Sequence, residues 1–79
     1  MSEADRMDMI RGMVAQLSDR LATEGGPPAE WARLIRALGV LGDSDQAKAI
    51  YDNALDVFAQ DSAGLDEIAA AARQAGVLQ

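Results

Sequence analysis

The sequence predicts an all-α protein in which four antiparallel helices form a short superhelical array. Apolar residues recur at helical spacing, as in Trp31, Leu34, Leu38 and Leu41, which lie on one face of an α-helix. Strong helix formers such as those at 69–72 favour the same class. Glycines, prolines or N-capping side chains separate the periodic segments, so each segment is expected to be a separate helix.

The first helix is predicted over residues 3–24. Ser2 precedes it as an N-cap, and Gly25-Gly26 ends it, because glycine readily adopts the left-handed conformation found after a helix. Pro27-Pro28 prevents continuation and can open the next helix at its first turn. The predicted apolar stripe of this first helix consists of Ile10, Met13, Val14, Leu17 and Leu21.

The second and third helices are predicted on either side of Gly42, the second over residues 28–41 and the third up to residue 59. Asp43 or Ser44 is expected to cap the third helix, since both side chains can accept a hydrogen bond from a free backbone N–H group.

The fourth helix is predicted over residues 62–75, with Asp61 or Ser62 as its N-cap. Gly76 is expected to stop it. The segment Val77-Leu78 is then expected to fold back on the last turn.

The central pair of helices has the composition of a closely packed hairpin. Two antiparallel helices approach closely only where small residues meet large ones. Ala47 and Ala54 are the small residues, and Trp31 and Tyr51 are expected to fill the space that they leave. The predicted hairpin core is Trp31, Leu34, Leu38, Ala47, Tyr51 and Ala54.

This hairpin, residues 28–59, resembles a tetratricopeptide repeat, whose pattern is W-x2-L-G-x2-Y followed by A-x3-F and P. Ile35 stands where the pattern has Gly, and Ala59 stands where it has Pro. A shift of one period aligns helix 62–75 with the first half of a further repeat and helix 3–24 with the second half of a preceding one. The chain is therefore interpreted as a single domain, 1–79; an ordinary four-helix bundle is the alternative.

Composition excludes several functions. The net charge is −6, from thirteen acidic and seven basic residues, whereas nucleic acids and anionic membranes are bound by cationic faces. The acidic groups are expected to form a solvated coat.

The chain has no cysteine and no histidine. It therefore lacks a thiolate nucleophile, the usual general base and the commonest metal ligands. We therefore expect no enzyme activity, no metal and no cofactor. No apolar run has the roughly 20 residues of a membrane span.

A narrower resemblance covers nearly the whole chain. The run Met9-Ile10-Arg11-Gly12-Met13-Val14, then Pro28-x-x-Trp31-x-x-Leu34, and Leu41-Gly42 followed by Ala47, resembles the C-terminal part of the CycH-type cytochrome c biogenesis family. This resemblance implies a bacterial periplasmic chaperone that holds apocytochrome c for the other maturation components. It also implies that a preceding part, not this one, anchors the protein in the inner membrane.

The candidate peptide-binding face lies on the second helix, opposite Leu34, Leu38 and Leu41. Arginines there could pair with carboxylates of a partner, and small residues could let its backbone approach. Alternatively, these arginines are solvated or pair with acids of their own chain such as Glu30. The candidate residues are Ala32, Arg33, Arg36, Gly39 and Val40.

A second interpretation stays open. The chain would then be a generic or self-associating helical interaction module, unrelated to cytochrome c and located in the cytoplasm. An incomplete repeat array leaves apolar helix faces at its ends, and such faces can form homo-oligomers.

Overall fold

Four α-helices follow one another in residues 2–77, the part of the chain that the computed structural model describes. They are α1 (Glu3–Thr23), α2 (Pro28–Leu41), α3 (Ser44–Val57) and α4 (Ser62–Gln74). No β-strand occurs in residues 2–77, and the predicted all-α class is confirmed.

Side chains just before the helices cap their first turns. The Asp43 carboxylate accepts a hydrogen bond from the Gln46 backbone N–H (3.2 Å), and the Asp61 carboxylate accepts one from the Gly64 N–H (3.0 Å). In both places the aspartate is the N-cap and the following serine is the first helical residue. Ser2 caps α1 in the same way. These bonds satisfy backbone donors that the helices leave free.

The turn after α2 follows the predicted glycine stop. Gly42 has a φ of 77°, and the Asp43 N–H donates to the Leu38 carbonyl oxygen at 3.0 Å. This arrangement is the backbone pattern of a glycine-terminated helix. It reverses the chain within two residues, so α3 packs back against α2.

Helix α3 ends at Val57, two residues earlier than predicted. The Asp61 N–H donates to the Phe58 carbonyl oxygen at 2.9 Å, which makes residues 58–61 a turn instead of a further helical turn. Asp61 also caps α4, so this turn both ends α3 and begins α4.

The end of α4 folds back on itself as predicted for Val77. Gly76 has a φ of 78°, and the Val77 N–H donates to the Ala72 carbonyl oxygen at 2.9 Å. The Val77 side chain packs against the core. Leu78, which belongs to the same prediction, lies outside the described residues.

Helix α2 is the centre of the fold. It packs most extensively against α4, and also against α3 and α1. Consequently most of its side chains are covered, and it contributes the largest share of the hydrophobic core. The buried core residues are Val14, Leu17, Leu21, Trp31, Ala32, Leu34, Ile35, Ala37, Leu38, Ala47, Ala54, Ile68, Ala71 and Ala72.

Helix α1 lies alongside α2 but, among the described residues, does not lie alongside α3 or α4. In a closed four-helix bundle each helix would contact two neighbours. The described chain is instead elongated, 42 × 29 × 18 Å, and its packing fits a tetratricopeptide-like array. Within residues 2–77, no helix is both long enough and apolar enough to cross a membrane.

Candidate protein-binding face

The predicted hairpin core lies between α2 and α3. Trp31 is only 2% exposed, and Ala47 and Ala54 are fully buried. Leu34 and Leu38 are also buried, while Tyr51 is half-buried at the edge of the core. These residues position α2 and do not form its outer surface.

Three of the five candidate binding residues lie on the outer surface of α2. Arg33, Arg36 and Val40 are exposed, and Val40 is 62% exposed. We call these three residues the α2 ridge. It combines two cations with one apolar side chain, a composition suited to an amphipathic partner with carboxylates.

The prediction for Ala32 is wrong. Its side chain is completely buried and cannot contact a partner. The reason is that α2 packs against three helices, so the residues buried on it extend well beyond the single stripe of Leu34, Leu38 and Leu41.

Gly39 is half-buried beside the end of α4 and lines a groove on its open side, so α4 limits the room that this position leaves for a partner backbone. A Cβ atom added there would lie 2.7 Å from the Ala75 Cβ and 2.8 Å from the Ala75 Cα. Glycine is therefore needed at this position because the end of α4 approaches the backbone of α2 closely.

Arg36 lies beside the end of α4. Its Nε–H donates to the Gln74 Oε1 at 2.7 Å, and the two side chains line a shallow groove of about 310 Å³ together with Gly39 and Val40. Gln74 was not singled out by the sequence analysis. The hydrogen bond holds the guanidinium of the exposed Arg36 at the groove.

Arg33 lines a different groove, of about 340 Å³, between α1 and α2. Across this groove Arg20 of α1 donates to the carboxylate of Glu30. Glu30 therefore pairs with α1 and not with the arginines of its own helix. Among the described residues neither Arg33 nor Arg36 takes part in an ion pair. The lining residues are Met13, Gln16, Leu17, Arg20, Glu30 and Arg33.

A larger groove of about 540 Å³ lies beside the middle of α1, next to the turn between α2 and α3. At its rim Arg11 pairs with Asp8 on its own helix at 3.1 Å. Arg11 is therefore already in an ion pair with Asp8 of its own helix. The groove is lined by Arg11, Val14, Ala15, Leu38, Leu41, Gly42, Asp43 and Gln46.

The α1 side of these grooves was missed by the sequence analysis, which placed the binding face on α2 alone. The available signal was Met13 in the apolar stripe of α1, which stays half-buried although α2 covers Leu17 and the other core residues of the stripe. In residues 2–77 no three His, Cys, Asp or Glu side chains are grouped so that they could hold a metal ion.

Comparison with known proteins finds two curated relatives with the same description. The cytochrome c-type biogenesis protein CycH of Bradyrhizobium diazoefficiens is 40% identical over 68 residues, which are 86% of this chain and 18% of that protein. The protein of this name from Rhizobium meliloti is 35% identical over 77 residues, 98% of this chain and 20% of that protein.

The chain spans about a fifth of the length of the curated relatives that it matches. No protein-family model matches it, and no solved structure does. Over most of its length, the chain is homologous to one segment of the cytochrome c-type biogenesis protein CycH.

Proposed function

We propose that this chain is a protein-binding segment of a CycH-type cytochrome c biogenesis protein and that it holds apocytochrome c during cytochrome c maturation. The observation that carries this proposal is the 40% identity to CycH over 86% of the chain. The chain contributes binding and positioning in this role and performs no chemistry.

The α2 ridge supports a binding role. Arg33 and Arg36 have no ion-pair partner among the described residues, although the chain has a large excess of acids. Val40 adds an exposed apolar contact one turn beyond Arg36. An amphipathic helix of the partner can place apolar side chains on Val40 and carboxylates next to the arginines.

The proposed location is the periplasm, with the membrane anchor in another part of the protein. Alkaline phosphatase is active only outside the cytoplasm, so a fusion to the C-terminus of the native protein tests this directly. We expect an active fusion. Activity of a β-galactosidase fusion at the same position, with an inactive phosphatase fusion, would place the segment in the cytoplasm.

Titration of the ¹⁵N-labelled chain with a peptide of the C-terminal helix of an apocytochrome c tests the binding role. We expect amide shifts at the α2 ridge, and weaker binding by Val40→Asp and Arg36→Glu variants. Lys48→Glu is the matched control, because it makes the same charge change on an exposed residue of α3. Absence of shifts at millimolar peptide, or equal shifts with a scrambled peptide, would contradict the proposal.

The second candidate function is a self-associating helical module. It is favoured by exposed apolar side chains away from the ridge, among them Met9 (62%), Leu55 (38%) and Val57 (54%). Sedimentation of the chain over a range of concentrations separates the two functions. A dimer that a Val57→Ser variant abolishes would support the module, whereas a monomer at millimolar concentration would exclude it.

A further inference from the structure

The groove between α1 and α2 lies where an internal repeat would place another helix. Its α1 wall is formed by Met13, Gln16, Leu17 and Arg20. Each of these residues lies 34 positions before a residue of α3, and 34 residues is the length of a tetratricopeptide repeat. The corresponding α3 residues are Ala47, Ile50, Tyr51 and Ala54.

These α3 residues form the face that packs into the core beside α2. Ala47 and Ala54 are fully buried, and Ile50 and Tyr51 pack against the core from its edge. Because α1 stands to α2 in the chain as α3 stands to α4, the empty groove corresponds to the position that α2 occupies on α3. The groove therefore lies at the position where the repeat pattern would place one further amphipathic helix.

The side chains of the groove favour a helix that binds and leaves over one that stays. Arg20 takes the position of the buried Ala54, and its side chain is 49% exposed where it pairs with Glu30. Permanent burial of this pair under a core helix would carry a large desolvation penalty. Met13, in the α1 wall of the groove, is half-buried, and methionine adapts to different apolar surfaces.

The charge at the groove specifies the partner further. Arg33 stands at the rim without an ion pair among the described residues, while Arg20 and Glu30 neutralise each other. The rim is therefore locally cationic on a chain whose net charge is −6. A partner carboxylate at this rim would meet a guanidinium that has no acid of its own.

We propose that the groove between α1 and α2 reversibly binds an amphipathic helix of a partner protein, with apolar residues on Met13 and Leu17 and a carboxylate on Arg33. The proposal rests on the proposed protein-binding function and names the groove and the chemistry of the bound segment. The bound helix would lie on α1 as α2 lies on α3.

Two synthetic peptides test the proposal on the full chain. The first covers residues 28–41, the α2 sequence itself, because α2 occupies the corresponding position on α3. The second has the same sequence with Arg33→Glu and Arg36→Glu. We expect both peptides to shift amides of residues 13–20 in the ¹⁵N-labelled chain, and the acidic peptide to bind about tenfold more tightly at low salt.

Variants of the protein identify the contacts. Arg33→Glu is expected to abolish the preference for the acidic peptide, whereas Lys48→Glu, the charge-matched control on α3, keeps it. Met13→Gln is expected to weaken both peptides by about fivefold, since it removes apolar area without a change of charge. Thermal unfolding of each variant verifies that it remains folded.

The outcomes separate this inference from the proposed function. Two results would overturn the inference. One is amide shifts confined to residues outside the groove. The other is an Arg33→Glu variant that prefers the acidic peptide as strongly as the unmodified chain does. If the apocytochrome c peptide binds while Met13→Gln, a variant of the groove outside the α2 ridge, leaves its affinity unchanged, the inference fails and the proposed function stands. If the acidic α2 peptide binds in the groove and the apocytochrome c peptide binds nowhere, the groove binds a helix as inferred, and the proposed binding of apocytochrome c fails.

Discussion

The indole ring of Trp31 meets the ring of Phe58 edge to face, with centroids 5.9 Å apart and planes at 88° to each other. Trp31 lies in the first turns of α2 and Phe58 follows the last residue of α3, so the contact closes the open end of the hairpin. The Trp31 Nε1 is buried and has no hydrogen-bond partner among the described residues. Its contribution to stability therefore comes from packing.

Replacement of Trp31 by alanine is expected to lower the free energy of unfolding by roughly 3–5 kcal/mol, because it leaves a large cavity in the core. A domain of this size is expected to be largely unfolded after such a loss. Circular dichroism during urea unfolding measures the change without the indole fluorescence. Val57→Ala, at a site 54% exposed, is the control and should change stability by less than about 0.5 kcal/mol.

Gly39→Ala is expected to destabilise the protein by about 1 kcal/mol or more, because the new Cβ would lie 2.7 Å from the Ala75 Cβ and force α2 and α4 apart. Gly12→Ala is the matched control. A Cβ at Gly12, inside α1, meets no atom within 4 Å, so alanine there should stabilise by roughly 0.5–1 kcal/mol. Equal stabilisation by both substitutions in thermal unfolding would show that α4 does not press on Gly39.

Asp61→Ala is expected to cost about 1 kcal/mol, since it removes the acceptor for the Gly64 N–H and leaves the first turn of α4 uncapped. Asp61→Asn should retain most of the stability because the amide oxygen can still accept. Ser62→Ala should be nearly neutral, as Ser62 is already helical. A larger loss in Ser62→Ala than in Asp61→Ala, measured by urea unfolding, would assign the cap to Ser62 instead.

Glu30→Gln is expected to lower stability by less than about 1 kcal/mol, because the pair with Arg20 is partly solvated. The difference from the unmodified chain should shrink further in 1 M salt, which screens exposed charges. A loss of several kcal/mol that persists at high salt would mean that the pair is a buried structural element. The ion pair between Arg20 and Glu30 would then stay formed when a helix occupies the groove.

The order, type and approximate ends of the four helices follow from local signals. An N-cap acts on the next turn, and a glycine such as Gly42 acts on the turn before it, so neither depends on distant residues. Helix α3 is the exception. Its end is set by the turn from Phe58 to Asp61, which competes with helix continuation and contains no glycine to mark it.

The surface of α2 depends on long-range packing. Helical periodicity identifies the face that one neighbour covers, but α2 has three neighbours, and alanine and glycine are compatible with either a surface or a close contact. The sequence therefore predicted Ala32 and Gly39 to lie on the exposed binding face of α2, whereas in the fold both lie against other helices. The pairing of Arg20 with Glu30 likewise arises only once α1 and α2 are side by side, because the two residues belong to different helices and no helical spacing relates them.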